Sequence, residues 1–236
     1  MFRALYIGLL SLLATGCLAQ TTLNQGLKQE LNSIDAEDQK YRILIMRQML
    51  TGAPSGYDSI ARVVHLTPEQ VGPYVSQRML ELDSVNIRRI ARIITQYGYP
   101  GKTLVGEPTN EVALLVIQHS NRIPQYLPLI KKMAAKGEIP FYLYARMLDR
   151  QLMYEGKEQL YGTQGRSFGV PNAQTGQREN VSFIWPIQDA ARVNQRRKKA
   201  GFDSTVEANA QRLGMKYKPM ALAEARAIEQ ASAAKP

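Results

Sequence analysis

Apolar residues recur at helical spacing through most of this chain, and this pattern limits the folds that the chain can adopt. The first stripe spans residues 27–45 and consists of Leu27, Leu31, Ile34, Tyr41 and Ile45. Similar stripes return in the segments 74–97, 109–119, 124–136, 140–155, 188–199 and 204–213. Such a repeat marks amphipathic helices that bury one face each. The sequence therefore predicts a mainly α fold, a single-domain, bundle-like array of helices.

One segment, residues 160–187, departs from the helical pattern. It is rich in Gly, Gln, Asn and Ser, and its ends at 161–170 and 181–185 favour β structure. A turn-forming sequence lies between these ends, so we expect one β-hairpin or long ordered loop. The predicted organisation is a signal peptide at 1–19, a helical domain of unknown function at 24–215 and an Ala-rich C-terminal tail at 216–236.

The first residues have the features of an export signal. Arg3 gives a positive start, and the apolar stretch 5–14 that follows is too short to span a bilayer. We therefore expect an exported protein, periplasmic or secreted. Two processing routes stay open: cleavage before Gln20, which we favour slightly, and acylation of Cys17, which would give a membrane-anchored lipoprotein.

The cysteine and histidine content and the net charge limit which kinds of binding site and binding partner the sequence predicts. Cys17 is the sole cysteine, so the sequence excludes an intrachain disulfide and a cysteine-based zinc site. His65 and His119 are far apart in sequence, and we predict neither a metal site nor a cofactor. The net charge of +10 favours anionic ligands or peripheral contact with a membrane, or simply gives solubility. We expect no nucleic-acid partner.

Several polar residues lie on helical faces that should be buried. They are Asp38 in the first stripe, Asn86 with Asp83 one turn before it, His119, and Asp149. Burying such groups is costly unless each finds a partner. They are therefore either buried pairs that fix helix packing or the walls of one polar pocket, covered by the segment after residue 160.

Short motifs follow one another in order between residues 30 and 205. They include Asp38-Gln39, Asp83 with Asn86, Gln118-His119, Asp149-Arg150, Tyr161-Gly162-Thr163-Gln164 and Arg196-Arg197. In order and spacing these motifs resemble an uncharacterised bacterial family, one of the domains of unknown function. The resemblance implies a shared pocket, but it implies no particular reaction, because that family has no established activity.

Together these features give a hypothesis about the site. We predict that His119 is a general acid or base, since histidine titrates near neutral pH, and that Asp149 orients it. The predicted ligand-binding residues are Gln118, Arg150, Tyr161, Thr163, Gln164, Arg196 and Arg197. His119, Asp149 and either Tyr161 or Gln164 should then share one cavity. The predicted function is an exported envelope protein that binds a small polar or anionic ligand, with or without acid–base chemistry. The alternative is a non-catalytic structural or binding module at the envelope.

Overall fold

The computed structural model describes residues 22–51, 55–172, 175 and 177–233. The predicted signal peptide and Cys17 lie outside these residues. The helices are α1 Gln25–Thr51, α2 Ser55–Val64, α3 Pro68–Tyr97, α4 Lys102–Val105, α5 Val112–Gln118, α6 Ile123–Ala135, α7 Phe141–Tyr154, α8 Val193–Lys199, α9 Val206–Arg212 and α10 Leu222–Ala233. Short 3₁₀ turns precede α5 and α8. The predicted mainly α fold is confirmed, and no helix in the described ranges is long and apolar enough to cross a membrane.

The largest apolar core joins helices from the first two thirds of the chain. It includes Leu31 and Ile34 of α1, Ile90 of α3, Ile117 of α5 and Met147 of α7, all with no exposed surface. Helices α1, α3 and α5 contact one another pairwise, and α6 packs against α7. Removing these apolar faces from water stabilises the arrangement. Polar residues on the inner faces of α1, α3 and α5 are therefore brought close together.

The expected hairpin is present. Strand β1, Gly165–Pro171, pairs antiparallel with β2, Arg178–Ile184, and Gly165 lies opposite Ile184. Phe168, Phe183 and Trp185 pack with Ala225 of α10 in a separate apolar cluster. Residues 222–233, part of the predicted C-terminal tail, thus form a helix that covers one face of the hairpin.

Candidate functional site

The imidazole of His119 directly follows the C-terminal end of α5 and contacts α1. Its Nδ1 lies 3.2 Å from Asp38 Oδ1 and 3.1 Å from Asp38 Oδ2. The Asp38 side chain is 1% exposed and that of His119 is 17% exposed. A carboxylate accepts a hydrogen bond from Nδ1–H, and in a neutral ring this leaves Nε2 as an acceptor. The amide nitrogen Nε2 of Gln118 lies 3.5 Å from that second ring nitrogen.

Three further polar side chains of the helical core surround this pair. Gln39 Nε2 donates to Asp38 Oδ2 at 2.8 Å, and Arg42 Nε lies 3.3 Å from the same oxygen. Arg42 also pairs with Asp83 on α3 through Nη2. Burial alone would raise the pKa of Asp38, but the hydrogen bond and charge of His119, followed by the charge of Arg42, lower it below its usual 3.8. Asp38 is therefore a carboxylate at neutral pH.

Asn86 occupies the adjacent turn of α3. It has no exposed surface, and within the part of the chain that the structure describes neither amide atom of its side chain has a hydrogen-bond partner. Two contacts between α1 and α3 bracket it: Arg42 with Asp83 on one side, and Glu37 with Arg89 at 2.9 Å on the other. This register places Asn86 at the level of Asp38. A buried amide without partners is unfavourable, so a water or another small polar group beside it would be stabilising.

Asp149, the last buried residue of α7, contacts a different part of the chain from Asp38. It has no exposed surface. Its Oδ1 accepts hydrogen bonds from the backbone amides of Leu160 at 2.8 Å and Tyr161 at 3.0 Å, and its Oδ2 accepts one from Thr163 at 3.0 Å. Burial raises the pKa of Asp149, and these amide hydrogen bonds oppose that shift. The carboxylate thus fixes residues 159–164, which we call the 159–164 loop. Contrary to our prediction, Asp38 rather than Asp149 contacts and orients His119, because the loop amides occupy both Asp149 oxygens.

Arg150 connects this loop to the end of α5. Its Nη1 donates to the backbone oxygen of Gln118 at 3.1 Å, and its Nε donates to Gln164 Oε1 at 3.3 Å. Gln164 Nε2 in turn donates to Thr163 Oγ1 at 2.8 Å. Of the predicted site residues, Gln118, His119, Arg150, Thr163 and Gln164 are therefore brought together in one connected polar group.

The remaining predicted residues lie on the other side of the 159–164 loop. Arg196 Nε donates to the backbone oxygen of Leu160 at 2.9 Å, and Arg197 Nη1 donates to that of Tyr161 at 2.8 Å. The Tyr161 ring lies 5.9 Å from the Phe202 ring. Thr163 and Arg197 line a cavity of about 440 Å³ there, and neither His119 nor Asp149 lines it. Two polar regions, which share Thr163, thus take the place of the single cavity that we expected from the sequence.

Three residues in or beside the polar group were absent from the predicted site. Asp38 and Asn86 had been noticed as polar residues on apolar faces and among the ordered motifs, but they had not been assigned to the site. Gln159 precedes the Tyr161-Gly162-Thr163-Gln164 motif and lies outside the helices, so helical spacing could not indicate its burial. Gln159 has no exposed surface, and its Nε2 donates to the backbone oxygens of Gln164 at 2.9 Å and Trp185 at 2.6 Å. Among the described residues, no three His, Cys, Asp or Glu side chains are grouped so as to bind a metal ion.

A family model described as "Family of unknown function (DUF6624)" matches residues 25–215. No curated protein and no solved structure matches the chain. The matched range contains His119, Asp38, Asn86, Asp149 and the 159–164 loop.

Proposed function

The chain belongs to the DUF6624 family of unknown function, and we propose that it is an exported envelope protein that binds a small polar or anionic molecule beside His119. The observation that carries this proposal is the His119–Asp38 pair, at 3.1 Å, in a group that is partly open to solvent. One ring nitrogen is occupied by the carboxylate, and the other has only a long contact of 3.5 Å with the Gln118 amide, which a ligand would replace. The buried amide of Asn86 at the same level has no partner among the described residues and supplies a second point of attachment.

Acid–base chemistry is the activity that this arrangement supports best. Nε2 of His119 accepts a proton from a bound water or hydroxyl group, and Asp38 stabilises the imidazolium that forms. Arg42 keeps Asp38 charged, because it lies 3.3 Å from the carboxylate. Gln118, Arg150 and Gln164 are then placed to donate or accept hydrogen bonds with the polar part of the ligand.

The charge of the surroundings favours an anionic ligand. A groove of about 460 Å³ is lined by Arg88, Arg89, Arg92 and Arg122. Arg122 lies three residues after His119, and Arg89 pairs with Glu37, the neighbour of Asp38. A groove lined with cations raises the local concentration of anions and steers them toward the site.

A non-catalytic module at the envelope is the second candidate. Asp149 and Arg196 support it, because their side chains mainly satisfy backbone groups of the 159–164 loop and its neighbours. On that view the His119–Asp38 pair only joins α5 to α1, and its removal would cost stability without affecting any ligand.

A thermal-shift screen of polar and anionic metabolites separates the two candidates. The proteins compared are the wild type, His119→Ala and the control His65→Asn, because His65 is exposed and has a positive φ of 55°, a conformation that Asn tolerates. We expect at least one compound to raise the melting temperature of the wild type and of His65→Asn but not of His119→Ala. A compound that shifts all three equally does not bind at His119. If no compound shifts the wild type and His119→Ala loses several kcal/mol of unfolding free energy, the structural candidate is correct.

A further inference from the structure

Three arginines from three helices meet at the cavity of about 440 Å³ described above, which we call the Arg146 cavity. Arg146 comes from α7, Arg197 from α8 and Arg212 from the end of α9. The hydroxyl-bearing side chains of Tyr142, Thr163 and Ser204 also line the cavity. Asp203 is the single carboxylate among the residues that line it, and it is exposed. The walls therefore carry an excess of positive charge and of hydrogen-bond donors.

Among the described residues, the guanidinium of Arg146 has no partner for its charge. It is half-buried, and among the described residues no hydrogen bond or ion pair satisfies its guanidinium. Burial lowers the pKa of Arg146, and the positive charges of Arg212 and Arg150 lower it further. A guanidinium has five N–H donors, and withdrawing them from water without an acceptor is unfavourable. An anion in the cavity would remove this cost.

Arg197 has hydrogen-bond acceptors from the protein, but no carboxylate among the described residues pairs directly with its charge. It is 2% exposed, and its guanidinium lies 4.4 Å from the centre of the Phe202 ring. Its three nitrogens donate to the backbone oxygens of Ser204 and Tyr161, at 2.8 Å each, and to Ser204 Oγ at 3.1 Å. No described carboxylate lies within ion-pair distance of Arg197, so a second buried cation lacks a direct counter-charge.

We propose that the Arg146 cavity binds the phosphate group of a small ligand, with Arg146 and Arg197 donating to its oxygens and Arg212 completing the positive wall. A phosphate suits this donor set better than a carboxylate, because it presents three or more acceptor oxygens and nearly two negative charges. The cavity is larger than a phosphate needs, and the Tyr142 and Phe202 rings offer a surface for the rest of an organic phosphate. This site is distinct from the His119 group and goes beyond the function proposed above.

Calorimetric titration of the full processed protein with phenyl phosphate, inorganic phosphate and benzoate tests the assignment. Ionic strength is kept constant with NaCl, because exposed charges are screened by salt. Arg146→Met removes the charge at similar length. Arg62→Met is the matched control, since it removes one positive charge from an exposed arginine on α2 that lines neither this cavity nor the arginine-lined groove.

We expect saturable binding of phenyl phosphate to the wild type and to Arg62→Met, and binding about tenfold weaker or more for Arg146→Met. Tighter binding of phenyl phosphate than of inorganic phosphate identifies an organic phosphate, whereas equal binding identifies free phosphate. Arg146→Met should also raise the melting temperature of the ligand-free protein, because it replaces an unpaired, half-buried charge by an apolar side chain.

Four results would overturn the proposal: no saturable binding of either phosphate, equal weakening by Arg146→Met and Arg62→Met, tighter binding of benzoate than of phenyl phosphate, or a lower melting temperature of ligand-free Arg146→Met. Each of these results is independent of the His119 variant, so failure here is distinguishable from failure of the function proposed at His119.

Discussion

Nδ1 of His119 lies 3.1 Å from a carboxylate oxygen of Asp38, although the two residues are 81 positions apart in the sequence. The contact joins the end of α5 to the middle of α1, and Arg42 extends it to Asp83 on α3. Three helices of the apolar core are thus linked by one polar group. Asp38 in that group, rather than Asp149, is thus the carboxylate that faces Nδ1 of His119.

The first prediction concerns the protonation of the His119 ring. Because Asp38 accepts from Nδ1, neutral His119 should carry its proton on Nδ1 and have a bare Nε2. Long-range ¹H–¹⁵N NMR distinguishes the two tautomers, and His65, the only other histidine, serves as the internal reference. Asp38→Asn should weaken the preference for Nδ1–H. A wild-type spectrum with the proton of neutral His119 on Nε2 would contradict both the contact and the proposed role.

The second prediction is a pH-dependent stability from Asp38. Its folded-state pKa is lowered from 3.8, mainly by His119 and then by Arg42, which together outweigh burial. A carboxyl whose pKa is depressed by folding stabilises the protein above its unfolded pKa, and this contribution is lost as the pH falls through the lower folded value. Asp38→Asn should therefore cost roughly 3 kcal/mol of unfolding free energy at neutral pH. The difference from the wild type should shrink below about pH 4.

Urea unfolding of both proteins at several pH values measures this difference. Glu30→Gln is the control, because Glu30 is an exposed acid on the same helix and such surface changes stay within about 0.5 kcal/mol. A difference between the wild type and Asp38→Asn that is the same in acid as at neutral pH would mean that the charge of Asp38 does not matter.

The third prediction concerns Asp149 and the 159–164 loop. Asp149→Asn keeps the shape of the side chain but turns an NH₂ group toward backbone amides that are themselves donors. We expect a loss of roughly 3 kcal/mol of unfolding free energy, because buried hydrogen bonds to a charged group are replaced by an unsatisfied contact. Hydrogen exchange at the amides of Leu160, Tyr161 and Thr163 should accelerate.

The control for Asp149→Asn is Glu155→Gln, in an exposed contact with Lys157, which should cost less than about 1 kcal/mol of unfolding free energy. Unchanged exchange at the three amides would show that Asp149 does not fix the loop.

The fourth prediction is removal of the leader. The short apolar stretch 5–14, followed by small residues, predicts processing during export. Mass spectrometry of the protein from its native host measures the mature N-terminus. A start at Gln20 indicates secretion, and a diacylated Cys17 indicates a lipoprotein. An intact Met1 would be incompatible with either route.

Much of the fold could be predicted from local sequence. Leu31 and Ile34 of the first stripe are fully buried, and the change of composition after residue 160 coincides with the hairpin. The inward positions of His119 and Asp149 also followed from their spacing. The basic run at residues 196–199 does not by itself indicate a buried arginine, because the same residues suit an exposed helix end or an anion site. Only packing against the 159–164 loop makes Arg197 a buried residue.

The sequence by itself determined which residues face inward, because helical periodicity and apolar burial depend on residues a few positions apart. Which inward polar groups become neighbours was decided only by the tertiary structure. Asp38 meets His119 because α1 packs against α5, whereas Asp149 meets the amides of the 159–164 loop because that loop folds back over α7. Within the part of the chain that the structure describes, the Asn86 amide and the Arg146 guanidinium have no partner, and the sequence alone did not indicate this either. Helical spacing shows which side of a helix faces inward. Which residue it meets there depends on how the separate helices pack against one another.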